Sequence, residues 1–437
     1  MTTMLLFSRT DRDTSGESAP TPLKRRGGLI AALDVGTTKV ACLIARADDD
    51  GGVPRVLGIG HHRSRGVRGG RVANPDEVEA AIRNALESAE DMAGERVDGV
   101  VVAVTGGAPE SERIDVEMDV SGHEVRDSDM RRVLSCVGQH PRDPDRELIH
   151  CIPVGYSLDG VDNVLDPRGM YGERLGARIH LVSAASGPLR NLTTVIERCR
   201  LDVDGRVAAP YAAGLASLVE DERDLGATVI DMGGGTTSVA VFLGGHVIHV
   251  GVIAVGGGHV TNDIAQGLST PLASAERLKT MYGGVLASPA DSREILRVPL
   301  VGEDEDQPSQ EIPRSYLVQI IRPRVEETLE LVRAHLEAAG VDRVAGRRAV
   351  LTGGASQMPG MRELAEQILD KQVRPGRPMR LRGLADSVAG PAFATCAGLV
   401  SHAVQDQVER PMLDEPPRAG GVFGPVNRIG RWLKENF

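Results

Sequence analysis

Two stretches of this chain have the residue types and spacing to grip phosphate. Residues 33–41 read L-D-V-G-T-T-K-V-A, and residues 230–240 read I-D-M-G-G-G-T-T-S-V-A. Each is an apolar run, an aspartate, a glycine turn, a threonine pair and a second apolar run, which predicts a strand-turn-strand hairpin. Gly36 in the first copy, and Gly233, Gly234 and Gly235 in the second, let backbone N–H groups approach an anion with no Cβ in the way. Thr37, Thr38, Thr236 and Thr237 add hydroxyl donors, and Lys39 adds a positive charge. Asp34 and Asp231 are two carboxylates that could hold Mg²⁺, through its water shell because that ion dehydrates reluctantly. A single copy would read as an ordinary hairpin with turn-forming Asp and Gly. Two matched copies predict an internally duplicated domain with a nucleotide triphosphate and its Mg²⁺ clamped between the halves.

Two further glycine clusters belong to the same expectation. Gly256, Gly257 and Gly258 open a predicted helix, and a helix N-terminus after glycines suits an anion. Asn262 lies just inside that helix. Residues 352–360 read T-G-G-A-S-Q-M-P-G between a predicted strand and a predicted helix. There Gly353 and Gly354 can lie flat beside a purine, with Met358 close by. Glu276 and Lys279, three apart on one helix, share a face. They either flank the adenosine or form a solvated ion pair.

The elements that must position these groups follow from patterning. Strands are expected at 29–35, 39–45, 53–60 and 97–105, with a helix at 75–92 capped by Asn74. Residues 106–183 read as a small α+β insertion, with strands near 114–120, 147–157 and 177–182 and a helix at 128–138. Helices follow at 189–200 and 210–220. Past the second hairpin come a strand at 250–255, helices from 260 and 272, a long helix at 312–339 that Pro323 must kink, a strand at 348–351, and helices at 360–370 and 390–405. The organisation is then a disordered arm (1–28), a first half (29–105) with its insertion (106–183), a second half (184–255, 256–345 and 346–385), a closing helix (386–405), a linker (406–420) and a terminal segment (421–437).

Composition narrows the class. The chain has 437 residues, of which 41% are hydrophobic but only 3% aromatic, so the core must rest on Ala, Val, Ile and Leu, as suits an α/β fold. A net charge of −11 argues against nucleic acid as a partner. The five cysteines lie far apart without a C-x-x-C pair, which reads as reduced thiols rather than a metal site or disulfide framework. The N-terminus lacks the apolar run of a signal peptide, and no apolar run is long enough to span a membrane.

Residues 421–437 are a separate device. They read G-V-F-G-P-V-N-R-I-G-R-W-L-K-E-N-F. At helical spacing Val422, Phe423, Val426, Ile429, Trp432, Leu433 and Phe437 share one face, while Arg428, Arg431 and Lys434 share the other. Pro425 fits a first helical turn. The chain's one Trp beside basic residues is the composition of a helix lying in the plane of an anionic membrane surface.

Hairpin one, connecting helix, hairpin two, adenosine loop and closing helix, in that order, resemble the actin–Hsp70–sugar kinase superfamily. Residues 219–226 (V-E-D-E-R-D-L-G), 254–265 (A-V-G-G-G-H-V-T-N-D-I-A) and 351–360 are similar to the FtsA family of bacterial cell-division actin homologues. The resemblance implies a duplicated actin-like (ribonuclease H-like) ATPase fold of the α/β class, with the small α+β insertion subdomain and the C-terminal amphipathic helix. It implies ATP and Mg²⁺ as ligands. It also implies assembly into protofilaments and a peripheral position on the cytoplasmic face of the inner membrane at the septum. Its partners would be the FtsZ C-terminal tail and later division proteins. In the family that tail docks on the subdomain spanning about 256–345, where Arg314, Arg322 and Arg324 are the candidates for contacting its acidic residues. One departure bears on catalysis. The superfamily's water-positioning Gln or Glu falls here on Ala209, so no catalytic residue is assigned and ATP is expected to be bound tightly and hydrolysed slowly or not at all. The alternative is a small-molecule kinase of the same superfamily, which would need a substrate-binding carboxylate and no membrane tail. An Hsp70-like chaperone would need a large domain after the closing helix, and rod-shape actin homologues usually attach through their N-terminus.

Overall fold

A computed structural model of the chain describes residues 28–47, 53–302, 310–379 and 381–409. The predicted N-terminal arm, apart from Gly28, and the whole amphipathic segment at 421–437 lie outside the described residues. The first half starts with β1 (Leu29–Val35), β2 (Lys39–Arg46) and β3 (Arg55–Arg63), then a two-residue-stranded hairpin, β4 (Val67–Arg68) and β5 (Arg71–Val72), which the sequence reading lacks. Helix α1 (Pro75–Ala93) follows. Its Asn74 cap forms as expected, with Oδ1 accepting from the Asp76 N–H at 3.2 Å, and Gly94 ends it in the left-handed region. Strand β6 (Gly99–Val104) closes this stretch.

The insertion is β7 (Glu110–Asp119), α2 (Asp127–Ser135), β8 (Arg146–Leu158), β9 (Val161–Val164) and β10 (Arg174–Ala185). These strands form one antiparallel sheet in the order β7-β10-β8-β9. Chain then returns to the first half as α3 (Ser186–Arg198) and β11 (Asp202–Ala208). Strand β11 is absent from the sequence reading. Its D-V-D-G-R-V-A mixes charge and glycine, and as the last strand of its sheet it is buried only at its end.

The second half runs α4 (Ala209–Ser217), α5 (Glu220–Leu225), β12 (Ala227–Met232), β13 (Thr237–Leu243), β14 (His246–Ile253), α6 (Gly257–Gly267), α7 (Leu272–Tyr282), β15 (Ile295–Val298), β16 (Gln310–Pro313), α8 (Arg314–Ala338), β17 (Arg348–Thr352), α9 (Met361–Leu369) and β18 (Gln372–Pro375). Helix α8 carries Pro323 inside it and starts later than expected because Ile312 pairs with Leu296 in the small β15–β16 sheet. The closing helix, α10 (Ala394–Glu409), also starts late, after a 3₁₀ turn at Pro391–Phe393.

Duplication is explicit in the two five-stranded sheets. Their orders are β11-β6-β1-β2-β3 and β18-β17-β12-β13-β14. In each, the hairpin strands pair antiparallel and the later strands pair parallel to the first. Between the sheets lie α4 and α10. Every residue of α4 except Tyr211 is buried, so a helix of alanine, glycine and other small residues is what lets both cores close on it. Ala209, Ala212 and Ala216 join the first core with Phe393, Ala397 and Val400, while Ala213 and Leu215 join the second with Val229 and Phe242. Among the described residues no helix is long and apolar enough to cross a membrane.

Candidate functional site

Both hairpins form, and they meet. Asp34 sits one residue before the end of β1, opposite Ala41, and Asp231 one residue before the end of β12, opposite Ser238. The turns are closed by the Gly36 N–H on the Lys39 carbonyl at 3.0 Å and by the Gly233 N–H on the Thr236 carbonyl at 2.8 Å. The two turns abut so closely that a Cβ on Gly234 would lie 2.4 Å from Thr38 Cγ2, and one on Gly235 would lie 2.5 Å from Thr37 Oγ1. Only glycines allow this approach.

Beside the turns is a cleft of about 440 Å³, of the size that takes a small ligand. Asp34, Gly36, Thr37, Thr38 and Lys39 line one wall, and Asp231, Gly233, Gly234 and Thr236 another. Gly257, Glu276, Lys279, Gly353, Gly354 and Met358 complete the expected lining, and Ala209 borders the cleft at the start of α4.

Other expected residues are placed differently. Thr237 is fully buried and its hydroxyl donates to the Val255 carbonyl at 2.8 Å, so it braces the hairpin. The glycines that open α6 have their amides occupied. The Gly257 and Gly258 N–H groups donate to the Gly233 and Gly234 carbonyls at 2.9 and 2.7 Å, and the Gly256 N–H to His259 Nδ1 at 3.1 Å. They anchor the second hairpin instead of offering an anion hole. Gly235, Gly256 and Gly258 do not line the cleft, and Asn262 is exposed on α6 outside it.

Glu276 and Lys279 are more than a solvated pair. Lys279 Nζ donates to Glu276 Oε2 at 2.7 Å, to the Thr261 hydroxyl at 2.8 Å and to the Gly257 carbonyl at 3.0 Å, while Thr261 donates to Glu276 at 2.5 Å. Burial opposes ionisation of Glu276, but Lys279 and Thr261 more than offset it and hold its carboxyl below the usual range.

Electrostatically the cleft floor is under tension. Burial, with a smaller contribution from Asp231, pushes the Asp34 carboxyl up to about 6 against the pull of Lys39. Burial also raises Asp231, opposed by the Thr395 hydroxyl and Lys39, and lowers Lys39. Two buried carboxylates are hard oxygen donors that a divalent cation would relieve, so the residues fit Mg²⁺. Among the described residues no group of three or more His, Cys, Asp or Glu could hold a metal by itself. Phosphate oxygens and water would supply the remaining positions.

The raised Asp34 value has a stability consequence. The unfolded chain ionises this carboxyl near 3.8 and the folded chain near 6. Folding is therefore disfavoured by the buried charge above pH 6, progressively less so from 6 to 4, and not at all below. Asp34→Asn should stabilise the chain by on the order of 2 kcal/mol at pH 7.5 without nucleotide, and not at pH 4. Melting curves at the two pH values check this; an equal shift at both would sink it.

Several cleft residues escape the sequence reading: Thr105, Ser238, Gln357, Pro359, Ala392 and Thr395. A signal for Thr105 exists. Residues 105–108 read T-G-G-A directly after β6, and residues 352–355 read the same from the last residue of β17, the equivalent strand of the other half. No local pattern marks Ala392 or Thr395, which arrive from the far end of the chain.

The three arginines expected to meet an acidic tail are already paired. Arg314 donates to the Tyr282 carbonyl at 2.8 Å and reaches Glu294 at 3.1 Å, and Arg324 forks onto Asp263 at 2.6 and 3.1 Å. Arg322 pairs with Glu326 at 2.7 Å on an exposed helix face. It is the most readily released of the three.

Comparison with known proteins places this architecture. The family model for cell division protein FtsA matches residues 228–398, and that for the SHS2 domain inserted in FTSA matches residues 106–183. A cell division protein FtsA of Agrobacterium fabrum is 43% identical, over 94% of this chain and 96% of its own length. The chain belongs to the FtsA family. Solved structures extend the likeness at the level of fold. One is the PilM–PilN type IV pilus biogenesis complex, with a TM-score of 0.62 at 18% identity, covering 86% of this chain and 98% of that one. Another is MreB5 of Spiroplasma citri bound to ADP, with a TM-score of 0.52 at 12% identity, covering 87% of this chain and 98% of that one. The fold is thus the actin-like ATPase fold, with an SHS2 insertion as the FtsA family has it.

Proposed function

We propose that this chain is an ATP-binding, actin-like division protein. It assembles on the cytoplasmic face of the inner membrane at the septum, tethers FtsZ filaments there through its C-terminal amphipathic segment and recruits later division proteins. One observation carries the nucleotide part: the two glycine turns meet across one cleft and bring Asp34, Asp231 and Lys39 to its floor. The backbone of Gly36, Gly233 and Gly234, with the hydroxyls of Thr37, Thr38 and Thr236, would hold phosphates. Mg²⁺, when bound, would neutralise their charge, with Asp34 and Asp231 accepting from its water shell. Glu276, Lys279, Gly353, Gly354 and Met358 would hold the nucleoside.

Turnover should be slow. Ala209 offers neither a carboxylate nor an amide to orient an attacking water. Titration calorimetry of the full chain with Mg·ATP tests the reading. Saturable binding with little phosphate release over the same period is expected; absence of binding would overturn the nucleotide reading, and rapid phosphoryl transfer to a small-molecule acceptor would favour the kinase alternative instead. For the FtsZ tail, the exposed α8 face around Arg322 is the proposed contact.

A further inference from the structure

The 3₁₀ turn at Pro391–Phe393 and the first residues of α10 enter the cleft between the halves and touch three of its walls. Lys39 of the first hairpin donates its Nζ to the Ala392 carbonyl and lies 3.3 Å from the centroid of the Phe393 ring. Thr395 donates its hydroxyl to Asp231 Oδ2 at 2.9 Å. The Pro391 carbonyl accepts from the Gly353 N–H and from the Thr352 hydroxyl, both at 3.1 Å. One short segment therefore holds the lysine of one hairpin, the aspartate of the other and the start of the glycine loop.

We propose that residues 391–395 are a positioning element of the nucleotide site, in which Thr395 orients the Asp231 carboxylate toward a metal-bearing phosphate. The inference rests on the nucleotide reading above and adds to it a residue that acts through Asp231. Asp231 Oδ2 takes the Thr395 hydroxyl, and Gly353 passes so near Oδ1 that a Cβ on it would stand 2.4 Å away. Thr395 itself is buried at the edge of the cleft, only 6% exposed. It also sits in the first turn of a long helix, whose N-terminal partial positive charge favours a carboxylate. Such outer hydrogen bonds orient metal-binding groups, and their loss typically weakens metal affinity roughly ten-fold or more. Because Ala392 and Phe393 hold Lys39 in the same stretch, the segment sets the placement of both charges on which phosphate binding depends.

The test is the affinity of the full chain for ATP with Mg²⁺ and with EDTA in its place. Thr395→Val removes the hydroxyl at nearly constant volume, Thr395→Ala removes it with less bulk, and Thr395→Ser keeps it. The expected result is that either folded hydroxyl-less variant loses roughly ten-fold of the tightening that Mg²⁺ confers. Binding in EDTA should stay within about two-fold, and Thr395→Ser should restore the Mg²⁺ effect. An undiminished Mg²⁺ effect in a folded hydroxyl-less variant would overturn the role of Thr395. So would an equal loss with and without Mg²⁺, which is the mark of a packing defect, or failure of a folded Thr395→Ser to restore. If the unmodified chain binds ATP under neither condition, the nucleotide reading itself falls and this inference with it.

Discussion

Gly353→Ala should lose nucleotide binding by about two orders of magnitude and cost the fold roughly 1–3 kcal/mol as well. Gly353 has φ 85° and ψ 162°, a conformation open essentially to glycine alone. A Cβ there would also stand 2.4 Å from Asp231 Oδ1 and 2.5 Å from the Met232 carbonyl oxygen. Neither neighbour can yield cheaply. Met232 O is backbone at the end of β12, and Asp231 is held from its other side by Thr395. Relief requires the glycine loop to withdraw from the cleft, which separates it from the Asp231 carboxylate. Calorimetry with Mg·ATP at a temperature where circular dichroism shows the variant folded checks this. Near-normal affinity in a folded Gly353→Ala chain would remove the 352–360 loop from the site.

The second large effect concerns the terminal segment. Trp432→Glu, or ending the chain at Gly420, should abolish binding to anionic vesicles while leaving ATP affinity within two-fold. Burying a large apolar side chain contributes about 1.5–3 kcal/mol. Four or five half-buried ones give about 5 kcal/mol gross, much of which ordering the peptide removes. Each basic residue near an anionic leaflet adds about 1 kcal/mol. A single tail is therefore a marginal anchor, and a glutamate on its apolar face is enough to cancel it. Many tails on one polymer bind with avidity, so vesicle binding should rise steeply with protein concentration. Equal sedimentation of all three chains with vesicles would make the tail a packing or partner surface.

Legibility in the sequence follows locality. The hairpins were readable because aspartate, glycine and threonine pairs recur at fixed spacing between apolar runs, and each pair of strands is adjacent in the chain. The Asn74 cap and the glycine loop at 353–354 were readable for the same reason. What failed was non-local. Strand β11 is partly exposed and polar, and only its pairing with β6 makes it a strand. Gly256, Gly257 and Gly258 look like an anion site until the Gly233 and Gly234 carbonyls are seen to take two of their amides. Arg324 looks like a free cation until Asp263, 61 residues away, claims it. Thr395 reaches Asp231 across 164 residues, and nothing around either residue announces the other. The T-G-G-A repeat at the ends of β6 and β17 was legible in principle, because it is a local pattern that repeats with the duplicated fold.

The central claim is that this chain joins FtsZ filaments to a membrane. The most direct measurement is flotation of FtsZ filaments, from the same cell, with anionic vesicles in the presence of Mg·ATP and this chain. FtsZ should rise with the vesicles when the full chain is present, and stay below with the chain ending at Gly420 or with no chain at all. FtsZ left below while the full chain itself floats, or FtsZ floating equally with the shortened chain, would contradict the account.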